Sequence, residues 1–375
     1  MTEWMDRKEA LAVLGIRPQT LYAYVSRGRI AMMPDPADPR RSLYLAEDIG
    51  ALATRRTRGR DVTRIAASTI SWGEPSIATT ISTIRRGQLI YRGHDAVKWG
   101  GTATLEETAA LLWQSENPIV FPCPAGTATE PYKALAALVP SSAPMLGRSA
   151  DRLREDAANV IGHIAASLGA NASSQPIHAR LARAWGLDAT QADRIRQALV
   201  LLADHELNAS TFATRVAAST GASIAASLLA GLSTLSGPRH GGAGAALIAL
   251  IEEAERIGPE PAVAGWLTRG QPLAAFGHPL YPQGDVRAIR LLDGLAVDPL
   301  AIRLRDAVFE AAGALPNIDF ALAAITRAYG LPKSAPLALF MMGRSIGWAA
   351  HAMEQLLTGE LIRPRGRYEG PDLAD

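Results

Sequence analysis

The stretch "GPRHGGAGAALI" (residues 237–248) places a histidine between a Gly-Pro turn and two glycines, at the predicted start of an apolar helix. A histidine in a protein core does not need this setting, whereas neighbouring glycines let a ligand approach the backbone closely. The pattern returns in "AAFGHPLYPQGDVRA" (274–288), where a second histidine again adjoins a glycine. The two histidines, His240 and His278, are therefore predicted to belong to one active site.

Composition sets limits on the class of protein. The chain has 375 residues, of which 48% are apolar and 20% charged, as is usual for a soluble globular protein of two or three domains. Its single cysteine, Cys123, argues against a disulfide framework and a Cys-ligated zinc site, and it fits a reducing, cytoplasmic location. We expect no signal peptide. The apolar stretch 334–353 is interrupted by Arg344 and predicts a buried helix rather than a membrane span.

The first sixty residues form a basic module. They hold 11 Lys and Arg against 7 Asp and Glu, whereas the rest of the chain holds 27 against 29. Helical spacing over 4–14 and 17–28, a loop and short strand over 33–45, and a third helix over 46–60 resemble a winged helix-turn-helix of the MerR type. This resemblance assigns a DNA-binding role to Gln19, Thr20 and Tyr22 in the major groove and to Arg27, Arg40 and Arg41 at phosphates. The alternative is a helical accessory or assembly element with solvated arginines.

The remaining pattern predicts a mainly α-helical body. "IATTISTIRRGQLIYRGHD" (77–95) predicts a β-hairpin with an Arg-Gly turn. Thr104 and Glu107 have capping-box spacing before an apolar helix. From residue 130 onward, helical segments follow one another, separated by Pro, Gly and Asn.

Four clusters of this body carry side chains suited to acid–base chemistry. His205 lies between two carboxylates in "LLADHELNASTFATR" (201–215), His240 and His278 follow, and Asp319 comes after a Pro-Asn turn in "LPNIDF" (315–320). One carboxylate and several histidines can divide acid and base roles when their surroundings separate their pKa values. Arginines suit a substrate with two carboxylates. The candidates are Arg287, Arg344 and Arg363. The set indicates proton abstraction from carbon, followed by attack on an anionic carbonyl compound.

From about residue 70 to the end, the chain resembles the citrate synthase family. The resemblance rests on motifs that occur in the family's order: "YRGHD", "LEETAALLW", "ADHELNAST", "GPRHGGA", "GHPLY" with "DVRA", "PNIDF", "GRSIGWAAHAMEQ" and "IRPRGRY". It implies large and small helical domains, with the small domain at 245–325 inserted between large-domain segments 65–244 and 326–375. The winged helix-turn-helix would occupy residues 1–60.

The resemblance also implies an activity and residue roles. Asp319 would be the base that takes a methyl proton from acetyl-CoA, and His240 would stabilise the resulting enol with a hydrogen bond. His278 would protonate the carbonyl oxygen of oxaloacetate. His205, Arg287, Arg344 and Arg363 would bind that substrate, with Arg363 reaching the partner subunit of a homodimer or higher homo-oligomer.

Acetyl-CoA or another acyl-CoA would be a co-substrate, with no permanently bound cofactor and no metal. Two other functions stay open: a 2-methylcitrate synthase that uses propionyl-CoA, and a DNA-binding regulator that senses a metabolite.

Three positions depart from the family pattern. Leu202 occupies a position where many members have histidine, and Pro279 and Pro282 replace basic residues that would face the phosphates of coenzyme A. Four other histidines are interpreted as structural, because an isolated histidine in a helical protein is usually a satisfied core or surface residue. They are His94, His163, His178 and His351.

Overall fold

The computed structural model describes residues 4–16, 20–21, 24–25, 29–36, 38–57, 76–125, 130–171, 175–237, 240–241, 243–366, 368 and 370–371. For residues 39–41, 53–57 and 245 it describes the backbone alone. The chain divides into two compact units, Met1–Ala78 with Arg365–Asp375, and Thr79–Pro364.

The first unit combines short helices with a small antiparallel sheet. Its elements are β1 (Trp4–Met5), α1 (Arg7–Leu14), β2 (Met32–Asp35), β3 (Asp38–Leu45) and α2 (Ala46–Thr57). The strand order is β1-β3-β2, with Trp4 opposite Leu45 and Met32 opposite Tyr44. Its core contains Ala10, Leu14, Leu21, Ile30, Tyr44, Ile49 and Leu52.

The prediction of a helix over 4–14 was wrong at its start. Trp4 and Met5 pair with β3, and the helix begins at Arg7. The reason is a capping box in which Asp6 accepts from the backbone N–H of Glu9 and the Glu9 carboxylate accepts from that of Asp6.

Few of the predicted DNA contacts fall within the described side chains. Thr20 is half-buried, and residues 20, 21, 24 and 25 are helical. Gln19, Tyr22 and Arg27 lie outside the described residues. Arg40 and Arg41 lie on β3, and their side chains are outside the described part.

The second unit begins with a small sheet and continues as helices. Strands β4 (Ser82–Arg85), β5 (Gln88–Tyr91) and β6 (His94–Asp95) pair in sequence order. The predicted hairpin is confirmed, and its turn uses Arg86 and Gly87, both with positive φ (52° and 75°).

The helices are α3 (Ala96–Trp99), α4 (Leu105–Trp113), α5 (Pro131–Leu138), α6 (Ala150–Ser167), α7 (Ile177–Ala184), α8 (Ala189–Leu202), α9 (Ala209–Ser219), α10 (Ile224–Leu235), α11 (Ala243–Ile257), α12 (Pro259–Thr268), α13 (Val286–Leu292), α14 (Pro299–Ala312), α15 (Ile318–Ala328) and α16 (Ala335–Thr358). The expected mainly helical body is confirmed, as is the capping box of Thr104 and Glu107 at α4.

Two apolar cores lie within the second unit. The larger extends from Ile81 to Met353 and includes α4, α6, α8, α10 and α16. The smaller joins α11, α12, α14 and one face of α15, with Leu247, Val263, Leu304 and Phe320 among its members. Helix α15 contributes Ile318 and Ala321 to the larger core and Phe320 to the smaller one, so Asp319 lies where the two cores meet. The domain limits 1–60, 65–244, 245–325 and 326–375 stay predictions.

Helix α16 is 24 residues long, as its apolar sequence predicts, and it packs closely on the loop after α8. A Cβ added at Gly343 would lie 2.7 Å from Cβ of Leu202. At Gly347 an added Cβ would collide with the backbone oxygen of Ala203 and the Asp204 carboxylate. The backbone N–H of Gly347 also donates to the oxygen of Ala203 at 3.0 Å. These glycines therefore place the loop that carries His205 directly against the helix that carries Arg344.

Among the helices of the described residues, none combines the length and the apolar character that a bilayer span requires.

Candidate active site

Two consecutive turns position His278. The N–H of Tyr281 donates to the oxygen of His278 at 2.9 Å, and the N–H of Gly284 donates to that of Tyr281 at 3.0 Å. Pro279 and Pro282 occupy the second position of these turns, which proline favours because its φ is fixed near −65°. The prolines at the predicted phosphate-facing positions therefore have a structural role of their own.

Asn317 connects this segment to the helix that carries Asp319. Its Oδ1 accepts from the N–H of Asp319 at 3.0 Å and caps α15, while Nδ2 donates to the oxygens of Ala274 and Gly277 at 2.9 and 3.1 Å. The backbone N–H of Gly277 donates to Leu315 at 2.7 Å. The "FGH" and "PNIDF" motifs, about forty residues apart, are thus held together by hydrogen bonds.

His278 and His205 form an edge-on pair with ring centroids 5.0 Å apart. Burial and the charge of Arg287 lower the pKa of His278 to about 4, against a smaller opposite effect of Asp285. Burial, followed by Arg287 and Arg344, holds the pKa of His205 well below its usual value. Both rings are therefore neutral near pH 7. The N–H of Leu280 donates to Nδ1 of His278 at 3.2 Å, so the proton of the neutral ring lies on Nε2.

Arg287 is buried and already engaged by a carboxylate. Its Nε and one terminal nitrogen donate to the two oxygens of Asp285 at 2.9 and 2.7 Å. Although burial opposes its charge, this ion pair raises the pKa of Arg287. Asp285 also accepts from the N–H of Ile318 at 3.0 Å, which ties the ion pair to the first turn of α15.

Arg344 is 1% exposed and carries its charge among apolar groups. Its Nε donates to the oxygen of Leu202 at 2.9 Å, and its Cζ lies 4.9 Å from the ring centre of Phe340. Burial lowers the pKa of Arg344, and the charge of Asp204 opposes this effect. An arginine stays protonated in proteins, so this buried cation is suited to an anionic ligand.

The side chain of Leu202 is fully buried and packs near Gly343 of α16. It therefore has a packing role at a position where many family members have histidine.

A buried chain of polar contacts lies behind His205. Oδ2 of Asp204 is 3.2 Å from Nε2 of His351, and Nδ1 of His351 is 2.7 Å from a terminal nitrogen of Arg215. A guanidinium can only donate, so Nδ1 accepts and the ring proton lies on Nε2, toward Asp204. His351 is thus a satisfied core residue, in agreement with its structural interpretation.

His240 contacts Ser210 and Phe340. Its Nε2 is 2.7 Å from Oγ of Ser210, and the indole N–H of Trp348 donates to the same oxygen at 3.2 Å. Its ring is edge-on to Phe340 at 6.4 Å. Burial and the charge of Arg344 lower the pKa of His240 to about 4, so this ring is neutral as well. The contact with Ser210 engages Nε2 and leaves Nδ1 for a ligand.

Asp319 lines a mostly apolar cavity of about 480 Å³ with Gly241, Ile248, Leu337 and Phe340. Burial raises the pKa of this half-buried carboxyl group to about 6, against opposing effects of Arg287 and Arg344. A carboxyl group with this pKa is ionised at pH 7 and is a stronger base than an exposed aspartate.

The structure thus brings His205 and His278 into contact and places Arg287 against the ring of Tyr281, which both histidines also contact. It places His240, Arg344 and Asp319 around Phe340 and the adjoining cavity. Arg363 lies apart, exposed in the segment that follows α16. Sequence reasoning missed three supporting residues: Tyr281, Asp285 and Ser210. Asp285 had a signal, since an aspartate before "VRA" is a typical helix cap, whereas Tyr281 and Ser210 had none.

No group of three or more His, Cys, Asp or Glu side chains placed to hold a metal ion occurs within the described ranges.

Comparison with known proteins identifies relatives of this chain. The family model "Citrate synthase, C-terminal domain" matches residues 123–365. Citrate synthase 2 of Bacillus subtilis is 35% identical over 193 residues, which cover 48% of this chain and 52% of the relative. A putative citrate synthase 2 of Mycobacterium bovis is 39% identical over 186 residues, covering 46% and 50%. The chain therefore spans about half the length of the curated relatives it matches.

Solved structures match a larger share of this chain and of their own chains. The crystal structure of citrate synthase from Thermotoga maritima has a TM-score of 0.67 at 25% identity and covers 81% of this chain and 96% of its own. The Thermoplasma acidophilum citrate synthase, in ternary complex with carboxymethyl coenzyme A and oxaloacetate, has a TM-score of 0.66 at 25% identity, covering 80% and 95%. Since the family model matches well over half of the residues and the fold agrees, this chain belongs to the citrate synthase family.

Proposed function

We propose that the chain is a citrate synthase-type acyltransferase that condenses acetyl-CoA with oxaloacetate and releases citrate and coenzyme A. The observation that carries this proposal is the position of Asp319. A carboxyl group whose pKa is raised to about 6 borders an apolar cavity that also adjoins the neutral His240 through Phe340 and Gly241. A base and a neutral hydrogen-bond donor beside an apolar space are what enolisation of a thioester requires.

The proposed reaction assigns one proton transfer each to Asp319 and His278, and a hydrogen bond to His240. The Asp319 carboxylate takes a proton from the methyl carbon of the acetyl group, while Nδ1–H of His240 donates a hydrogen bond to the thioester oxygen. For this, the Ser210 hydroxyl turns from Oδ1 of Asn208 and donates to Nε2 of His240. The enolate carbon attacks the keto carbon of oxaloacetate, and Nε2–H of His278 gives its proton to the keto oxygen. Water then cleaves the citryl thioester to citrate and coenzyme A. The Nε2–H form of His278 supports its role, because it leaves the donating nitrogen for substrate.

We assign the binding of oxaloacetate to His205, Arg287 and Arg344. A buried cation is stabilised by an anionic partner, so Arg344 beside the neutral histidines favours an anionic keto acid. The charge of Arg287 is already balanced by Asp285, and its part in the proposed site is to add a second guanidinium beside the histidines. Arg363 completes the proposed set from the partner subunit of a homodimer. Its exposed position in a single chain fits that assignment, and light scattering of the purified protein tests the dimer.

Thiol release tests the activity. Purified protein is mixed with oxaloacetate and either acetyl-CoA or propionyl-CoA, and a thiol reagent reports free coenzyme A. We expect release that requires oxaloacetate and is lost in Asp319→Asn but kept in Asp306→Asn, which changes an exposed aspartate of α14. The rate of thiol release with acetyl-CoA relative to that with propionyl-CoA distinguishes citrate from 2-methylcitrate synthesis. One methylene changes binding about 10- to 200-fold, which this ratio can measure. Absence of release from folded protein with both donors would contradict the proposal.

A second candidate function is DNA binding by the first unit. The β2–β3 hairpin and the two flanking helices around a shared core are compatible with a winged helix-turn-helix. The basic charge of residues 1–60 adds support. An electrophoretic shift assay with genomic fragments at low salt tests this candidate, because phosphate contacts are strongest there. If no fragment shifts, the module is better explained as an assembly element.

A further inference from the structure

Tyr281 occupies the centre of the predicted keto acid site. Its side chain is 3% exposed, and its hydroxyl oxygen lies 3.1 Å from Nε2 of His205. The ring centre of Tyr281 lies 5.1 Å from that of His278 and 5.5 Å from that of His205. On the same ring, Cζ of Arg287 lies 5.4 Å from the centre, within range of a cation–π interaction. One side chain therefore contacts His278 and two of the four residues assigned to the binding of oxaloacetate, His205 and Arg287.

The backbone of Tyr281 is fixed from both sides. Its N–H closes the turn that begins at His278, and its carbonyl oxygen accepts from Gly284 in the next turn. Pro279 and Pro282 restrict the backbone of these turns, so little conformational freedom is left for a bound ligand to remove. The tyrosine ring is thus positioned by its own chain segment before a ligand arrives.

The hydrogen bond between Tyr281 and His205 has a definite direction. Burial raises the pKa of Tyr281 to about 12, so the hydroxyl keeps its proton throughout the neutral range. His205 is neutral there, because burial and the charges of Arg287 and Arg344 hold its pKa well below the usual value. Because Nε2 faces the tyrosine, only Nδ1 is left to donate a hydrogen bond to the keto acid, and this proposed role requires the ring proton to lie on Nδ1. The tyrosine hydroxyl then donates to Nε2, and the neutral ring carries its proton on Nδ1.

We propose that Tyr281 is a positioning residue for the keto acid: its hydroxyl fixes the orientation and tautomer of His205, and its ring supports Arg287 and His278. The inference rests on the proposed function for the identity of the ligand, but the hydrogen bond itself does not depend on that function. The substrate class favoured by this arrangement is a small keto acid with two carboxylates.

Histidine NMR tests the hydrogen bond without substrate. Protein labelled with ¹⁵N at histidine is recorded at pH 7, and His205 is assigned from the signal that is lost in His205→Asn. We expect the Nδ1–H tautomer in the wild type and a shift toward Nε2–H in Tyr281→Phe. Tyr132→Phe is the matched control, because it removes a tyrosine hydroxyl that bonds to Leu232, outside the site. An Nε2–H signal in the wild type would overturn the proposal even if Tyr281→Phe does not fold.

Kinetics test the consequence for the substrate. Loss of one hydrogen bond between neutral groups predicts a KM for oxaloacetate that rises about three- to tenfold in Tyr281→Phe. We expect the KM for acetyl-CoA and the value of kcat to change less than about twofold. An unchanged KM together with an unchanged tautomer would overturn the positioning role. If the wild type releases no thiol, the proposed function fails, and the NMR result still decides the role of Tyr281.

Discussion

Asp319→Asn is expected to abolish activity and, at the same time, to stabilise the fold. The side chain keeps its shape but loses a negative charge that burial disfavours, which is why its pKa is raised from 3.8 to about 6. At about 1.4 kcal/mol per pKa unit, this rise corresponds to about 3 kcal/mol of stability lost by the wild type at pH 8.

The sign and the pH range of this effect follow from linkage. The folded state binds a proton more tightly than the unfolded state, so the wild type loses stability as the pH rises from about 4 to about 6. The asparagine variant has no such loss. We therefore expect its advantage in unfolding free energy to be about 3 kcal/mol at pH 8 and about half of that at pH 5.

Urea denaturation followed by tryptophan fluorescence measures this difference, with Asp306→Asn as the control that changes an exposed carboxylate. A less stable Asp319→Asn at pH 8, or an advantage that does not depend on pH, would refute the assignment of the raised pKa to burial.

Three further outcomes are expected. Asp285→Asn leaves the buried cation Arg287 without its partner, so it should lower the unfolding free energy by about 3–5 kcal/mol in urea titrations. Gly347→Ala should cost about 1–3 kcal/mol because its Cβ has no room, whereas Gly50→Ala, with open space in α2, should gain up to about 1 kcal/mol. The pH profile of kcat/KM should rise to about pH 6, where Asp319 ionises, and stay level to pH 8, because the neighbouring histidines are already neutral. A further rise of kcat/KM near pH 7 would contradict the prediction that these histidines are neutral.

Much of the fold could be predicted from local patterns. The Thr104–Glu107 capping box, the Arg-Gly hairpin turn and the long apolar helix around Arg344 are encoded within a few residues each, and the structure has all three. The start of α1 was missed because an apolar Trp4 and Met5 fit a helix as well as a strand. Only pairing with β3, about forty residues away, decides between the two.

The candidate site, too, could be predicted from the sequence only in part. Motifs with unusual local chemistry, such as a histidine between glycines, identified the residues that could face a ligand. The residues that orient them could not be found, because their contacts connect distant segments. Ser210 approaches His240 across about thirty residues, and Asp285 reaches Ile318 across a similar separation. The loss of cofactor contacts at Pro279 and Pro282 stays a prediction, and the structure adds that both prolines restrict turns.

The glycines of α16 limit how this enzyme family member could be redesigned. Gly343 and Gly347 leave no space between the helix that carries Arg344 and the loop that carries His205. Library mutagenesis aimed at a different keto acid would therefore gain little from this face, because almost any larger residue displaces two ligand-facing groups at once. None of the atoms nearest to a Cβ added at Gly343 or Gly347 belongs to the turn segment around Tyr281. Directed evolution of substrate choice should accordingly begin with residues 279–284.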